Sequence, residues 1–406
     1  MSKVWLHIIG MSEGGFDDIS STSQVLIKSA KIIIGSKRLL QELPNKNAQN
    51  LMEWKTPFKA MIEQILALRG SEVVILASGD GNWFGIGASM LNYLDEGEFI
   101  SIPAVSSLQL AASKMHWPIQ GVDCISLHGR AVENLSLYLS PNNKILALTT
   151  NANTLDEVAL LLDKNNYSNS KITVLENLGS DDEQVFSFEA NNSFKQKIGD
   201  FFTLAIECVS DLNTPLLTRT SGLPDEAFIS DGQLTKCEVR AITLAKLMPY
   251  KNALLWDIGA GSGSIGIEWM RAAQGAKAIC FERNKNRIEM IKQNSFLLGT
   301  PALKTIVGEA IAQIKTQPIP DAIFIGADVA NDETFEACFK ALKIGGRMVI
   351  NAVTLEGEKS LFERHEKLGG ELSKIDISRV KQVGRYRVFE PKKPVTQWLI
   401  IKEEKQ

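Results

Sequence analysis

Short apolar runs that end in glycine, separated by stretches with helical spacing, set the rhythm of this chain. In its first half, Val4–Ile9, Lys31–Ile34 and Glu72–Ala77 are nearly continuous in apolar residues, which predicts strands covered on both faces. Stretches 22–29 and 57–68 between them predict helices. After Ile102-Pro103, a helix is expected to run to about Met115, with Ser106 or Ser107 as its N-cap. Runs 125–127, 145–149, 171–175, 185–189 and 202–209 predict further strands, the last two as an antiparallel extension. The break near Pro103 implies two α/β lobes, about 1–103 and 104–210. Stretch 211–222, DLNTPLLTRTSG, is polar, contains a proline and has no clear period, so it is expected to be a linker.

The second half, 223–406, alternates more regularly. A helix over 236–247, with Thr235 as candidate N-cap, precedes strands near 254–258, 277–282, 303–307, 321–326 and 347–353. Helices are expected between these strands and over 356–368, and stretches 371–378 and 396–402 predict a closing antiparallel hairpin. Alternation of this kind predicts a doubly wound α/β sheet, mostly parallel, with one reversed strand.

Composition narrows the picture without changing it. The 406 residues are 44% hydrophobic and 22% charged, ordinary for two or three globular domains. A net charge of −3 provides no basic field for nucleic acid. The five cysteines form no CxxC pair and no metal-ligand spacing, so they read as buried or incidental thiols of a reducing cytoplasm. The first residues lead straight into a strand, with no signal peptide or membrane span expected.

Candidate chemistry is concentrated in LLWDIGAGSGSIGIEWMR, residues 254–271. An apolar strand ends in Asp257, glycines follow at 259, 261 and 263, and an amphipathic helix opens. Such a turn lets a ligand approach the backbone beside a helix start. The glycine spacing departs from the usual dinucleotide run, and a plain strand-to-helix turn would look similar. A second acid, Glu282, ends the next strand about twenty residues on, where a carboxylate can accept from ribose hydroxyls. Acids before and after the glycines resemble the class I S-adenosylmethionine (SAM) methyltransferases, and a carboxylate near the loop suits a cationic sulfonium.

Two further resemblances cover most of the chain. ASGDGNWFGIG, IPAVSSLQLAASKMHWPIQ and ISLHGR resemble, in that order, the tetrapyrrole (corrin and porphyrin) methylases, above all their C5-methylating branch in cobalamin synthesis. That resemblance implies SAM contacts at Gly79, Asp80, Ser106, Ser107, Leu127 and His128. Asp80 read alone is also a turn cap, and His128 is also an ordinary loop histidine. This sequence lacks the family's proline in the first loop, Gly10-Met-Ser-Glu-Gly14-Gly15, and has Gly81 where proline usually follows the GD pair.

The segments LPDEAFISDGQLTKCEVRA, LLWDIGAGSGSIGIEW, IFIGADVA, GGRMVINAVTLE and PVTQWL are similar to decarboxylating C15-methyltransferases of cobalamin synthesis. Here the resemblance implies SAM contacts at Thr235, Gly259, Ala260, Gly261, Ser262, Gly263, Glu282 and Ala310. Asp328 departs from the family's glycine run and stands where it could alter substrate entry. The fused order resembles the precorrin-6B C5,15-methyltransferase (decarboxylating) family. It implies a precorrin substrate, SAM as methyl donor, no metal and a homo-oligomer. For a polycarboxylate substrate, Lys236, Arg240, Arg379 and Arg385 are candidate carboxylate holders by their position near motifs.

Rival readings make distinct demands. A base-methylating enzyme should carry an (N/D)PP(Y/F) stretch where this chain has GADVA. A SAM sensor with one decayed half would fit the altered loops of the first half. An NAD-dependent oxidoreductase would need a different glycine spacing.

Overall fold

A computed structural model describes residues 4–44, 49–55 and 58–404. The chain divides into two compact units, one of Met1–Val132 with Ser140–Thr214 and one of Glu133–Leu139 with Pro215–Gln406.

The first unit carries two sheets. Strands β1 (Leu6–Met11), β2 (Ile32–Gly35), β3 (Asn50–Glu53), β4 (Val73–Ser78) and β5 (Phe99–Ile102) form a parallel sheet in the order β3-β2-β4-β1-β5. Alternate residues explain its continuous apolar runs. Ile9, Ile33 and Val74 pack on one face, while Ile8, Ile34 and Ile75 pack on the other. Helices Ser21–Ser29 and Phe58–Leu66 stand where helical spacing was expected, although Pro57 lies outside the described residues. Strands β3 and β5 had not been anticipated.

The second sheet of this unit holds β6 (Asp123–Ser126), β7 (Lys144–Leu148), β8 (Lys171–Glu176), β9 (Gln184–Glu189) and β10 (Phe202–Glu207). Its order is β6-β7-β10-β8-β9. The expected antiparallel extension is correct for β9, which lies at the edge beside β8. It is wrong for β10, which runs antiparallel between β7 and β8 in the middle of the sheet. Burial accounts for the difference: Phe202–Ile206 is buried throughout, whereas β9 is half-exposed to exposed.

In the second unit, β11 (Leu254–Ile258), β12 (Lys277–Glu282), β13 (Lys304–Val307), β14 (Ala322–Ile325), β15 (Arg347–Ala352), β16 (Glu371–Ile375) and β19 (Val395–Ile401) form a seven-stranded sheet. Its order is β13-β12-β11-β14-β15-β19-β16, and β19 is the one reversed strand. Trp256, Ile323, Met348 and Trp398 face one helical layer, while Leu255, Phe324, Val349 and Leu399 face the other. Strands β16 and β19 do pair, but not as a simple hairpin. Between them the chain builds a separate two-stranded ribbon, β17 (Ser378–Val383) and β18 (Tyr386–Pro391), exposed along almost its whole length. Among the described residues, no helix is long and apolar enough to cross a membrane.

Candidate functional site

The second unit's glycine turn lies at the carboxyl edge of its sheet. The Gly259 and Ala260 N–H groups both donate to the Phe281 carbonyl at the end of β12, which ties the loop to its neighbouring strand. Gly259, Gly261 and Gly263 all have positive φ, at 74°, 60° and 79°. Their close neighbours differ. A Cβ on Gly261 would stand 2.8 Å from the Gln233 carbonyl oxygen, and one on Gly259 would run into Ala327. Gly263 opens helix Ser264–Ala272 and leaves room for Ile291 packed beneath it. Gly259, Ala260 and Gly261 line a cleft of about 700 Å3 together with Thr235, Lys236 and Arg379.

Glu282 stands behind this wall. It is 5% exposed, accepts from the Gly261 N–H at 2.9 Å through Oε2 and from the Asn284 N–H at 2.9 Å through Oε1. Each oxygen keeps acceptor capacity for a hydroxyl. A bare backbone wall and a cleft of this size fit a nucleoside with a short polar tail, although Glu282 itself does not line the cleft. Ser262 is buried, its hydroxyl has no partner among the described residues, and its carbonyl accepts from Asn294. Neither Ser262 nor Gly263 lines the cleft, and half-buried Ala310 also lies outside it.

Several expectations are corrected here. Asp257 does not face the loop; it is 1% exposed, accepts from the Gly266 N–H at 3.1 Å, and receives the Cys280 thiol. Burial pushes its carboxyl up from 3.8 to about 7. A proton is therefore held in the folded chain over a range where the unfolded chain has lost it. This stabilisation is complete below about pH 4 and is lost as pH rises through about 7. Asp257→Asn is expected to flatten that fall, as measured by urea-unfolding midpoints across pH 4–8. The same pH slope in both proteins would contradict it.

Arg240 is no carboxylate holder for a ligand. It is fully buried, with Nε 2.5 Å from Glu268 and one terminal nitrogen 3.3 Å from Asp225. It also donates to the carbonyls of Thr235 and Leu223 and lies over the Phe228 ring. Thr235 is not the N-cap of helix Cys237–Leu247. Lys236 holds that position without a side-chain bond, and Asp225 accepts from the Cys237 N–H instead. Arg385 lies at the turn of the ribbon against Tyr386, away from the cleft. Asp328 is exposed, 3.9 Å from Arg283, and does not line the cleft either.

Arg379 and Lys236 do reach the cleft. Arg379 is held by both oxygens of Glu238, at 2.8 and 2.6 Å, and Lys236 is 3.9 Å from Asp225. Three cations missed in the sequence also line it: Arg287, Lys392 and Lys393. A Lys-Lys-Pro entry into the last strand was the available signal.

The first unit has its own cleft, of about 940 Å3. Here three chain segments cross at backbone distance. A Cβ on Gly10 would run into the Gly79 carbonyl and the Ala104 nitrogen, and one on Gly79 would stand 2.7 Å from the Ser106 Cα. Gly79, at φ 63°, donates to the Met11 carbonyl at 2.8 Å. Ser106 caps helix Ser107–Lys114 in a reciprocal box with Gln109, so the serine segment has a fixed entry.

Ser106, Ser107 and His128 line this cleft, while Gly79, Asp80 and Leu127 do not. Asp80 accepts from the Asn82 N–H at 2.8 Å, which is the turn-capping role. Leu127 is buried and clamps the loop through its backbone to Leu148 and Thr150. His128 Nδ1 is 3.1 Å from the Thr149 carbonyl, to which that nitrogen donates. The apolar wall includes Trp83, Phe84 and Leu178. Apolar surface beside hydroxyls and a glycine crossing fits the same kind of ligand.

Residues 5–191 match the tetrapyrrole (corrin/porphyrin) methylases, and residues 226–402 match the precorrin methyltransferase domain. A Sinorhizobium precorrin-6Y C(5,15)-methyltransferase [decarboxylating] is 39% identical over 97% of this chain and 95% of its own length. The Mycobacterium tuberculosis protein of the same name is 32% identical over 97% of this chain and 99% of its own length. The C-terminal domain of precorrin-6Y C5,15-methyltransferase from Rhodobacter capsulatus, a crystal structure, is 40% identical; it covers 45% of this chain and 98% of its own, with a TM-score of 0.43. The chain belongs to the family of decarboxylating precorrin-6Y C(5,15)-methyltransferases.

Proposed function

We propose that each unit transfers a methyl group from SAM to a precorrin. The first acts at C5, and the second acts at C15 with loss of the carboxyl group of the C12 acetate arm. The observation that carries this reading is the pair of clefts in one chain, each walled by positive-φ glycines or packed against them. SAM supplies an electrophilic methyl group on a sulfonium; the chain's residues bind it and align it with the ring carbon.

In the second unit, Gly259–Gly261 give SAM close backbone approach and Glu282 accepts from the ribose. Lys236, Arg379, Lys392 and Lys393 line the same cleft and supply positive charge for the precorrin's carboxylates. In the first unit, Ser106, Ser107 and His128 are the polar contacts, with Gly79 keeping the crossing thin. Holding the ring carbon, methyl and sulfur in line supplies about 7–11 kcal/mol in favourable cases. In decarboxylation the arm's C–C bond breaks, CO2 leaves, and the electron pair enters the conjugated ring. A proton from solvent then completes the arm's methyl group.

The proposal extends to domain limits of 1–210 and 223–406 joined by 211–222, a homo-oligomer, and a cytoplasmic setting in keeping with five unpaired cysteines. Calorimetric titration of the whole chain with SAM tests it. Two molecules bound per chain are expected. One would confine methyl transfer to a single unit and leave the other as scaffold.

A further inference from the structure

Three polar side chains meet in the interior of the second unit, behind the cleft wall. Thr243, on helix Cys237–Leu247, and Gln397, on β19, are fully buried; Asn351, at the carboxyl end of β15, is 8% exposed and lines the cleft. Asn351 and Gln397 are cross-strand neighbours. The direction of their hydrogen bonds follows from one contact. The Thr243 hydroxyl donates to the Val239 carbonyl at 2.7 Å, so its oxygen can only accept. Both amide nitrogens accordingly turn to it, Asn351 Nδ2 at 3.0 Å and Gln397 Nε2 at 3.0 Å. The second Gln397 N–H donates to Asn351 Oδ1 at 2.8 Å.

This arrangement locks the Asn351 amide and leaves one of its N–H groups without a protein acceptor among the described residues. It does so at a cost, because Gln397 Oε1 is buried with no partner among the described residues. An apolar trio of similar shape would pack there without that cost.

Sheet order indicates what the spare N–H meets. Strand β14 separates β15 from β11 and its glycine turn, so Asn351 stands about 10 Å from the nucleoside side of the cleft. On its other side is β19, which the chain enters through Lys392 and Lys393, both lining the cleft. We propose that Asn351 is a substrate-binding residue whose free amide N–H holds a carboxylate oxygen of the macrocycle, with Thr243 and Gln397 as positioning residues. This rests on the second cleft being the C15 site.

The test uses the full chain, labelled SAM and the precorrin, with C5 and C15 methylation followed by mass. Asn351→Ala is expected to raise KM for the macrocycle at the C15 step about tenfold or more, the value of a hydrogen bond to a charged group. SAM affinity and C5 methylation should not change. Thr243→Val should move the same parameter, and Thr243→Ser should restore it. If Asn351→Ala prevents the second unit from folding, seen as loss of its SAM binding, Asn351→Asp decides. It keeps the shape and the Gln397 contact but repels a carboxylate, so it should weaken macrocycle binding further. A wild-type KM in the folded Ala or Asp variant, or a change in SAM affinity instead, overturns the assignment of Asn351. An unchanged chain that transfers no methyl at C15 overturns the site reading and this inference with it.

Discussion

Gly261→Arg is expected to abolish methyl transfer at C15 and the release of CO2, while C5 methylation continues. Two effects combine at this position. Its φ of 60° is one that side chains rarely adopt, and a Cβ would stand 2.8 Å from the Gln233 carbonyl oxygen. The long cation would then fill the nucleoside end of the cleft and disturb the Gly261 N–H donated to Glu282. Loss of binding should be near complete rather than graded, since backbone approach, carboxylate and space all fail together. Product masses check it directly: one methyl group gained with no CO2 lost. Two methyl groups gained would mean that this turn is not the C15 site.

Arg240→Ala should have the largest effect on stability. It removes the cation from a buried ion pair and strands Glu268, which is 1% exposed and otherwise holds the Gly222 and Leu223 N–H groups at 2.6 and 3.0 Å. Breaking a buried pair in this way costs about 3–5 kcal/mol. The damage should spread locally. Arg240 ties down the carbonyls of Leu223 and Thr235, at the two ends of a segment that includes cleft residues Gly232–Thr235. Hydrogen exchange should therefore quicken over residues 222–247 and SAM binding in the second unit should fall. Arg240→Met with Glu268→Leu should recover part of the stability, because the lone buried charge is gone. Unchanged exchange in Arg240→Ala would contradict this account.

What could be read in the sequence, and what could not, follows from how local each signal was. The glycine turn was legible because strand, turn and helix lie within eighteen residues and each leaves its own period. The burial of Asp257 was also legible in principle. It is two residues from Leu255 in a strand covered on both faces, so its side chain shares the Leu255 face under helix Ser264–Ala272 rather than pointing at a ligand. Arg240 was not legible. Its partners Asp225 and Glu268 are 15 and 28 residues away, and nothing local distinguishes a buried arginine from one at a pocket rim.

The ribbon escaped notice for another reason. Val380 and Phe389 lie on one face, Val383, Tyr386 and Val388 on the other, and all five are exposed. With no buried face, no alternation marks it in the sequence. The position of β10 is a matter of topology. Its apolar character showed that it is buried, but not which two strands flank it.

The most direct test of two methyl-transfer sites in one chain is the mass of the product formed from the precorrin with labelled SAM. Cobalt-free and cobalt-loaded macrocycles should be run in parallel. The expected product, from at least one of the two substrates, has gained two labelled methyl groups and lost one CO2. One methyl gained with CO2 loss, or no transfer to either substrate, would contradict the assignment of a working site to each unit.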